Sequence, residues 1–475
     1  MVFSSILFTL FFLPLFLIIY NLTPKKLKNF TFLVFSLIFY AWGAPVFVFI
    51  LTASTIANFY LVQWLYNIDE KRKKRLVAGI SIFINLGLLA YFKYANFFVE
   101  NVNMTLSALG WQHVEWTRVA LPIGISFFTF QSLTYTIDVY RRIHSPLKNP
   151  FDYLLYIIMF PQLIAGPIVR FESIADQLQN RRETNDERLT GFYRFVIGLA
   201  KKVLIADVLG MEVNRVMEMD FHLLDSTTAW IGILAYTFQI YFDFSGYSDM
   251  AIGIGRMVGF KFPENFDNPY TAKSITDFWR RWHMTFTTFM RLYLYYPLGG
   301  NRVSTKRRLY FNLVFVFFVS GLWHGASWNF ILWGLIHGLF LILDRVFLLR
   351  FIKKSGAFFG WLYTFFVVVL AWVPFRVEGI NNSMLFYRKM FEFNFSSLYL
   401  QFIQNRELFV ILVVAFFISI LTLSGFGTKL QHIFYKTGIS NKQHPAYFSV
   451  ALVLFILCIA TLAGSGFSPF IYFRF

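Results

Sequence analysis

The sequence predicts a polytopic all-α membrane protein, and three observations lead to this prediction. Of the 475 residues, 57% are hydrophobic and 14% are charged, whereas an ordinary soluble domain has roughly 25% charged residues. Apolar stretches recur from Met1 to Phe475, and only short charged connectors interrupt them. No Pro-rich or Ser/Gly-rich linker marks a second domain. Residues 1–475 are therefore predicted to form a single transmembrane domain.

The N-terminal third is predicted to cross the membrane several times. The run 2–20 lacks a basic leader and a small-residue cleavage site, so we interpret it as a transmembrane helix rather than a signal peptide. The stretch 29–66 is expected to divide near Gly43-Ala44-Pro45. Basic connectors mark the cytoplasmic side, and they hold Lys25, Lys26 and Lys28, then Lys71 to Arg75, then Arg141, Arg142 and Lys148. The polar connector 99–118 is accordingly placed outside.

The remaining apolar runs raise the expected number of spans to roughly ten to twelve, with re-entrant pieces. The run 153–169 contains Pro161, Gly166 and Pro167 and is not expected to form a straight helix. Aromatic residues make up 21% of the chain, and most are expected at lipid-facing and interfacial positions. The later runs cover 190–208, 228–252, 308–322, 328–348, 357–375, 407–424 and 446–464.

Charge and cysteine content exclude several functions. The net charge of +18 arises from 43 Lys and Arg against 25 Asp and Glu. In a membrane protein, such an excess is explained first by topology, because basic residues collect in cytoplasmic loops, and only second by nucleic-acid binding. The single Cys458 excludes a disulfide framework and a multi-cysteine metal site. The sequence contains no zinc-protease motif, Walker A motif, Gly-x-Ser-x-Gly elbow or Cys-x-x-Cys pair. We expect no metal and no nucleic-acid partner.

Ionisable and polar groups at membrane depth are the best candidates for a functional site, because they are costly there. Within the apolar stretch 228–254, Gln239, Asp243 and Tyr247 are spaced i, i+4 and i+8 and share one face of a helix. This stripe must line protein or a watery cavity. It suits substrate contact and a hydrogen-bond network between helices equally well.

A second candidate is the segment from Lys261 to Arg308, in which basic and aromatic residues alternate. Its Trp279, Arg280 and Arg281 precede His283. The pattern is typical of an anchor at the membrane surface, and it also suits a nucleotide-bearing cosubstrate, whose phosphates arginine binds well.

A third candidate is His324, which lies between two apolar runs beside Trp323 and close to Asn329. The neighbouring glycines favour a helix break at which solvent reaches into the membrane. A buried neutral imidazole can act as a general base near pH 7, although for a lone buried histidine the residues by themselves favour a packing role. His337 lies on roughly the opposite helical face and is interpreted as structural.

Several motifs together resemble the membrane-bound O-acyltransferase family, most closely its bacterial alginate O-acetyltransferase branch. The resemblance extends along nearly the whole chain and is far more specific than any single histidine. The motifs are QIYFDFSGYSDMAIG at 239–253, PENFDNPY at 263–270, FWRRWH at 278–283, YPLGGNR at 296–302 and LWHGASWNFILWGLIHG at 322–338, with VFSS at 2–5, PIGISFFTFQ at 122–131, FPQLIAGPIVR at 160–170 and FIYFRF at 470–475.

The resemblance implies a site and a fold. It makes His324 the catalytic residue and His283 the second functional histidine, with substrate contacts expected from Trp279, Arg280, Arg281, Trp323 and Asn329 and from the stripe of Gln239, Asp243 and Tyr247. The implied fold is a ring of tilted helices around a thinned core, with a central tunnel between a cytoplasmic and an extracytoplasmic funnel. One position departs from the family pattern, because Leu292 stands where an acid is expected.

The implied reaction is acyl transfer, with acetyl as the expected group. The donor would be a cytoplasmic thioester such as acetyl-CoA, a cosubstrate rather than a bound cofactor. The acceptor would be a hydroxyl on an extracytoplasmic glycan, reached directly or through a secreted or membrane-anchored partner acyltransferase. The protein is expected in the bacterial cytoplasmic (inner) membrane, where it contacts the lipid bilayer.

Three other functions fit parts of the pattern. Transfer of D-alanyl or another acyl group to a cell-wall polymer is the alternative within the same chemistry. A transporter or channel would use the His and Asp residues as a conduction path, although repeated halves are not visible. A non-catalytic scaffold would only recruit a secreted transferase.

Overall fold

The computed structural model describes residues 2–397, 405–465 and 470–471. Within these ranges the chain forms α-helices, short 3₁₀ and π-helical turns and loops, without a β-strand. Six helices are long and apolar enough to cross a membrane. They run over Phe47–Tyr66, Lys71–Ala108, Trp328–Ser355, Ala357–Arg376, Arg406–Leu423 and His444–Gly464. The predicted all-α, multi-pass membrane protein is confirmed at this level.

Six helices of this kind are fewer than the ten to twelve spans expected, because other apolar runs form short or polar helices. The helix Lys28–Gly43 has 16 residues, whereas a bilayer requires about 20. The helix Ser226–Met257 has 32 residues, but polar side chains interrupt its apolar surface. The larger number of spans and their arrangement as a ring stay predictions.

The chain divides into two compact units, and the single domain over 1–475 stays a prediction. The first unit comprises Met1–Arg188 and Ile254–Pro263, and the second comprises Leu189–Gly253 and Glu264–Phe475. The helices of the first unit are α1 (Leu7–Leu22), α2 (Lys28–Gly43), α3 (Phe47–Tyr66), α4 (Lys71–Ala108), α5 (Ile125–Tyr140), α6 (Pro150–Ile158), α7 (Phe160–Leu163) and α8 (Phe171–Gln179).

Aromatic side chains build the core of the first unit. Phe160 is fully buried, and six phenylalanine rings lie 5.2–6.3 Å from its ring centroid, namely those of Phe3, Phe8, Phe12, Phe16, Phe32 and Phe39. Such ring pairs contribute beyond the area that they bury. These rings were expected to face lipid, and that expectation was wrong for them because they pack on one another inside the protein.

The helix breaks in the first unit follow the proline and glycine positions. Helix α2 ends at Gly43 and α3 begins at Phe47, as predicted. The run 153–169 is divided between α6 and α7 at Met159, also as predicted. The connector 99–118 differs, because α4 continues to Ala108. Hydroxyls there bond the carbonyl four residues earlier, as Ser107 does with Asn103, so polar residues are accommodated without ending the helix.

The topology set by the basic connectors can be tested with single cysteines in a Cys458→Ala background. Cys458 is buried and is the one cysteine of the chain. A cysteine at Ser107 should react with an impermeant thiol reagent on intact cells, and one at Asn67 should react only after the cells are opened. Both positions are exposed, so the reverse labelling pattern would contradict the positive-inside assignment.

The second unit holds the remaining helices, two of which extend a few residues beyond its boundaries. They are α9 (Asn185–Ala200), α10 (Asp207–Glu218), α11 (Ser226–Met257), α12 (Ile275–Arg281), α13 (Met284–Phe289), α14 (Lys306–His324), α15 (Trp328–Leu343), α16 (Leu349–Ser355), α17 (Ala357–Arg376), α18 (Ile380–Met390), α19 (Arg406–Ile420), α20 (Gly425–Phe434) and α21 (His444–Ser465). A π-helical turn, Lys201–Ala206, joins α9 to α10.

Helices α14 and α15 pack closely against each other, and this packing places the end of α14 in the interior. A Cβ at Gly321 would collide with the carbonyl oxygen of Phe330, and a Cβ at Gly334 would collide with that of Phe317. Small residues allow two membrane helices to approach in this way. The turn between the helices follows His324 directly, so this histidine lies at the tightest part of the pair.

Candidate active site

His283 occupies a constrained position between two short helices. It lies between α12 and α13 with a left-handed backbone, φ 45°, and is 0% exposed. Its Nδ1 lies 3.0 Å from Oδ1 of Asn265. Its other ring nitrogen, Nε2, is buried and has no hydrogen-bond partner among the residues that the structure describes. The non-glycine left-handed backbone is uncommon, and it indicates that surrounding contacts determine the position of the ring.

His324 is the last residue of α14, and the backbone turns extended at Gly325. The imidazole is 5% exposed. Aromatic rings surround it, with centroid distances of 4.8 Å to Trp333 and 5.1 Å to Phe375. A helix end that places a histidine among rings is consistent with the break predicted from the glycines around this position.

The two histidines are brought together by two shared aromatic rings. The ring centroid of Phe286 lies 5.0 Å from that of His283 and 5.7 Å from that of His324. The corresponding distances for Trp323 are 5.9 Å and 4.8 Å, and Phe286 stacks on Trp323 at 4.3 Å. Two histidines 41 positions apart along the chain therefore line one buried, aromatic-walled centre.

Trp279, a predicted substrate contact, is instead engaged with His337. Its Nε1 donates a hydrogen bond to Nδ1 of His337 at 3.2 Å, and both residues are buried. The ring of His337 lies 5.0 Å from Trp333, which in turn contacts His324. The pair thus supports the wall behind His324, in keeping with the structural interpretation of His337.

The predicted stripe on α11 includes a buried ion pair. Asp243 lies 2.6 Å from Nζ of Lys202, and the side chains of both residues are 2% exposed. Lys202 belongs to the π-helical turn after α9 and also pairs with Asp207 at 2.7 Å. The backbone N–H of Ile471 donates to Oδ2 of Asp243 at 2.8 Å. Asp243 therefore neutralises a buried lysine and binds a later segment of the chain.

The other two residues of the stripe also pack against described parts of the protein. The ring of Tyr247 lies 4.8 Å from that of Phe470. Gln239 lies against Gly210, where a Cβ would be 2.6 Å from its Nε2. The contacts of the stripe lie with α10, the π-helical turn and residues 470–471. Substrate binding by these three residues stays a prediction.

A neighbouring face of α11 contacts the histidine centre instead. Phe244 lies 4.7 Å from the ring of His283, and Ser248 accepts a hydrogen bond at 3.1 Å from Nδ2 of Asn265. Both are buried. Spacing of i and i+4 puts them on one helical face, rotated by one position from the predicted stripe.

The arginines before His283 have different surroundings. Arg280 is exposed, and none of the ion pairs between described residues involves it. Arg281 pairs with Asp277 at 3.1 Å and with Asp267 at 3.5 Å. Arg280 is thus the one of the two whose guanidinium is open to an external anion.

The amide of Asn329 bonds one backbone carbonyl and one hydroxyl, and substrate contact by Asn329 stays a prediction. Its Nδ2 donates to the carbonyl of Val377 at 2.7 Å and to Oγ of Ser383 at 3.0 Å. It is buried at the start of α15. These contacts attach the start of α15 to Val377, directly after α17, and to Ser383 in α18.

Three residues of the centre were not identified from the sequence as site residues. Asn265, Phe286 and Phe375 are each 5% exposed or less. Asn265 contacts His283, Phe375 contacts His324, and Phe286 contacts both histidines. Asn265 belongs to the PENFDNPY motif, which was the available signal. Among the described residues, no group of three or more His, Cys, Asp or Glu side chains could hold a metal ion.

Comparison with known proteins connects this geometry to a family. The model of the "MBOAT, membrane-bound O-acyltransferase family" matches residues 84–387, a range that contains both histidines and the ring contacts described above.

The curated relatives point to the same chemistry. The "Probable alginate O-acetylase" of Pseudomonas putida is 40% identical over 100% of both chains. The "Peptidoglycan O-acetyltransferase" of Helicobacter pylori is 37% identical over 84% of this chain and 81% of its own. The "Teichoic acid D-alanyltransferase" of Bacillus subtilis is 29% identical over 50% of this chain and 62% of its own.

Proposed function

The chain belongs to the membrane-bound O-acyltransferase family and is an O-acyltransferase, and we propose that it transfers an acetyl group from a cytoplasmic thioester to a polysaccharide hydroxyl outside the membrane. The observation that carries this proposal is the pairing of His283 and His324 around Phe286 and Trp323. Two imidazoles around one buried centre can serve one reacting carbonyl from two sides.

The chemistry requires little beyond positioning and proton transfer, because a thioester is already activated. The hydroxyl oxygen attacks the thioester carbonyl carbon, one imidazole accepts the hydroxyl proton, and the other orients the reacting groups. The carbon–sulfur bond then breaks and the leaving thiolate takes up the proton. From the sequence, His324 is expected to be the base or the residue that positions the hydroxyl, and His283 is expected to polarise or orient the reacting groups from the other side. Transient acylation of either ring would be the nucleophilic variant.

The path proposed for the substrates runs between the two sides of the membrane. Acetyl-CoA is the proposed donor, entering from the cytoplasmic side by a tunnel that narrows near His324. The acceptor is an alginate-like or other cell-surface glycan, reached directly or through a secreted or membrane-anchored partner acyltransferase. In this proposal, the protein lies in the bacterial inner membrane and forms a ring of ten to twelve helices. The acetylating relatives, which align over most of the chain, support it.

Transfer of a D-alanyl group is the second candidate function, and one observation favours it. Two teichoic acid D-alanyltransferases align with 50% and 56% of this chain. An aromatic-walled centre without a described carboxylate contact could accept either acyl group.

The direct test is to incubate the purified protein with radiolabelled acetyl-CoA and alginate oligosaccharides. If the protein acts directly on the glycan, we expect labelled O-acetyl ester on the oligosaccharides. If it requires a partner transferase that is absent from the reaction, we expect acetyl-CoA to be consumed only when the protein is present. A parallel reaction with a D-alanyl thioester distinguishes the two acyl groups. A folded, monodisperse protein that consumes neither thioester would contradict the proposal and favour the transporter or scaffold alternatives.

Arg280 offers a test of where the donor enters. Its exposed guanidinium is free to meet the phosphates of coenzyme A, so Arg280→Ala should raise the donor KM. Exposed ion pairs contribute about 0.2–1 kcal/mol, which corresponds to an increase of up to about fivefold. The increase should shrink at high salt, with kcat unchanged.

The matched control is Lys353→Ala, which removes an exposed charge at the end of α16. The donor KM of that variant should equal the wild-type value. An Arg280→Ala enzyme whose donor KM is unaltered at low salt would remove this arginine from the donor path.

A further inference from the structure

We propose that Asn265 is a positioning residue that keeps the proton of His283 on Nδ1 and thereby leaves Nε2 as the acceptor of the hydroxyl proton. The inference rests on the proposed acyl transfer and deepens it, because it divides the roles of the two histidines. His283 removes the proton, and His324 is left to orient the reacting groups.

Asn265 holds the backbone on which His283 sits. Its carbonyl oxygen accepts the N–H of Met284 at 2.9 Å. Its side-chain Oδ1 accepts from the hydroxyl of Thr285 at 2.8 Å and from the backbone N–H of Thr285 at 3.4 Å. One buried asparagine therefore contacts His283 and the two residues after it, which accounts for the left-handed backbone at His283.

These contacts determine which way the amide of Asn265 points. A backbone N–H can only donate, so the amide atom facing Thr285 is the oxygen. The amide nitrogen then donates to Oγ of Ser248 at 3.1 Å. Because Oδ1 can only accept, Nδ1 of His283 must be the donor across their 3.0 Å contact.

The tautomer assigns a function to the other ring nitrogen. A neutral imidazole with its proton on Nδ1 has a lone pair on Nε2, and within the described part of the chain this buried Nε2 has no hydrogen-bond partner. Buried polar atoms in native proteins nearly always have partners, so an orphan of this kind indicates a place for a missing donor. An acceptor hydroxyl supplies that donor, and its proton passes to Nε2 as its oxygen attacks the thioester.

Burial keeps His283 in the required neutral form. It lowers the pKa of His283 well below the usual value, and the residue lies between two helices too short to span a bilayer. His324 is the titratable group that shares its aromatic contacts. Other charged groups on the packed elements have partners of their own, namely Asp243 with Lys202, Asp249 with Arg194 and Lys201, and Arg281 with Asp277.

The test is the pH profile of Asn265→Asp, a nearly isosteric change. The introduced carboxylate still accepts from Nδ1, but its charge favours the imidazolium and raises the pKa of His283. A proton acceptor works only when neutral, so activity is lost below that pKa. The acidic midpoint of kcat/KM should therefore move to higher pH by about 1–3 units, the range for an adjacent opposite charge.

The control is Ser248→Ala, which removes the other partner of the amide and should leave the acidic midpoint at the wild-type pH. A midpoint that does not move in Asn265→Asp, or moves equally in Ser248→Ala, would overturn the inference. Asn265→Ser supplies a second readout. Its kcat should fall nearly as far as when a general base is removed, which is about 10²–10⁴-fold, and its donor KM should be unchanged. A wild-type protein without transfer would instead count against the proposed function.

Discussion

His324→Ala is expected to abolish acyl transfer while leaving the protein folded. Whether His324 orients the reacting groups or accepts a proton, its removal should lower kcat by about 10²–10⁴-fold. The imidazole contacts aromatic rings at the end of α14, and those rings remain to fill the wall. The measurement is transfer from labelled acetyl-CoA, with detergent monodispersity and thermal stability recorded on the same sample.

Another histidine of the second unit provides the control for His324. His432 is exposed on α20, so His432→Ala should keep both wild-type activity and wild-type stability. Retained acetylation in His324→Ala would end the assignment of this histidine to the reaction. An aggregated or unfolded His324→Ala protein would instead make the residue structural, since a catalytic role predicts loss of turnover alone.

His283→Gln should be nearly as inactive as His324→Ala. Glutamine has a similar volume, and its amide N–H can donate to Asn265 as Nδ1 of His283 does. It has no nitrogen lone pair that can take up a proton near neutral pH. We therefore expect a stability close to that of the wild type and a fall in kcat within the about 10²–10⁴-fold range of general-base loss.

His283→Ala separates chemistry from packing when it is compared with the glutamine variant. Alanine leaves a cavity beneath Phe244 and Phe286, so its melting temperature should fall below that of His283→Gln. The two variants should share the same low kcat. If His283→Gln were active and only His283→Ala were impaired, the role of His283 would be to fill space.

Elements of the fold were predictable because membrane insertion imposes simple rules on the sequence. Long apolar runs predicted spanning helices, and Gly43-Ala44-Pro45 and Pro161 predicted breaks that the structure contains. The same rules could not separate spanning helices from short buried ones. Buried aromatic residues such as Phe160 and lipid-facing ones have the same hydropathy, so hydropathy alone does not determine how many of the apolar runs cross the membrane.

The sequence by itself identified the two histidines through their motifs, but only the tertiary structure decided what surrounds them. Helix α11 is apolar on most sides, so its periodicity could not reveal that Phe244 contacts His283 and Ser248 bonds Asn265, while Asp243 pairs with Lys202. The contact of Asn265 with His283 likewise depends on a loop conformation that no local pattern specifies. Sequence spacing determines which residues share a helical face, whereas the neighbour of that face depends on packing between distant segments.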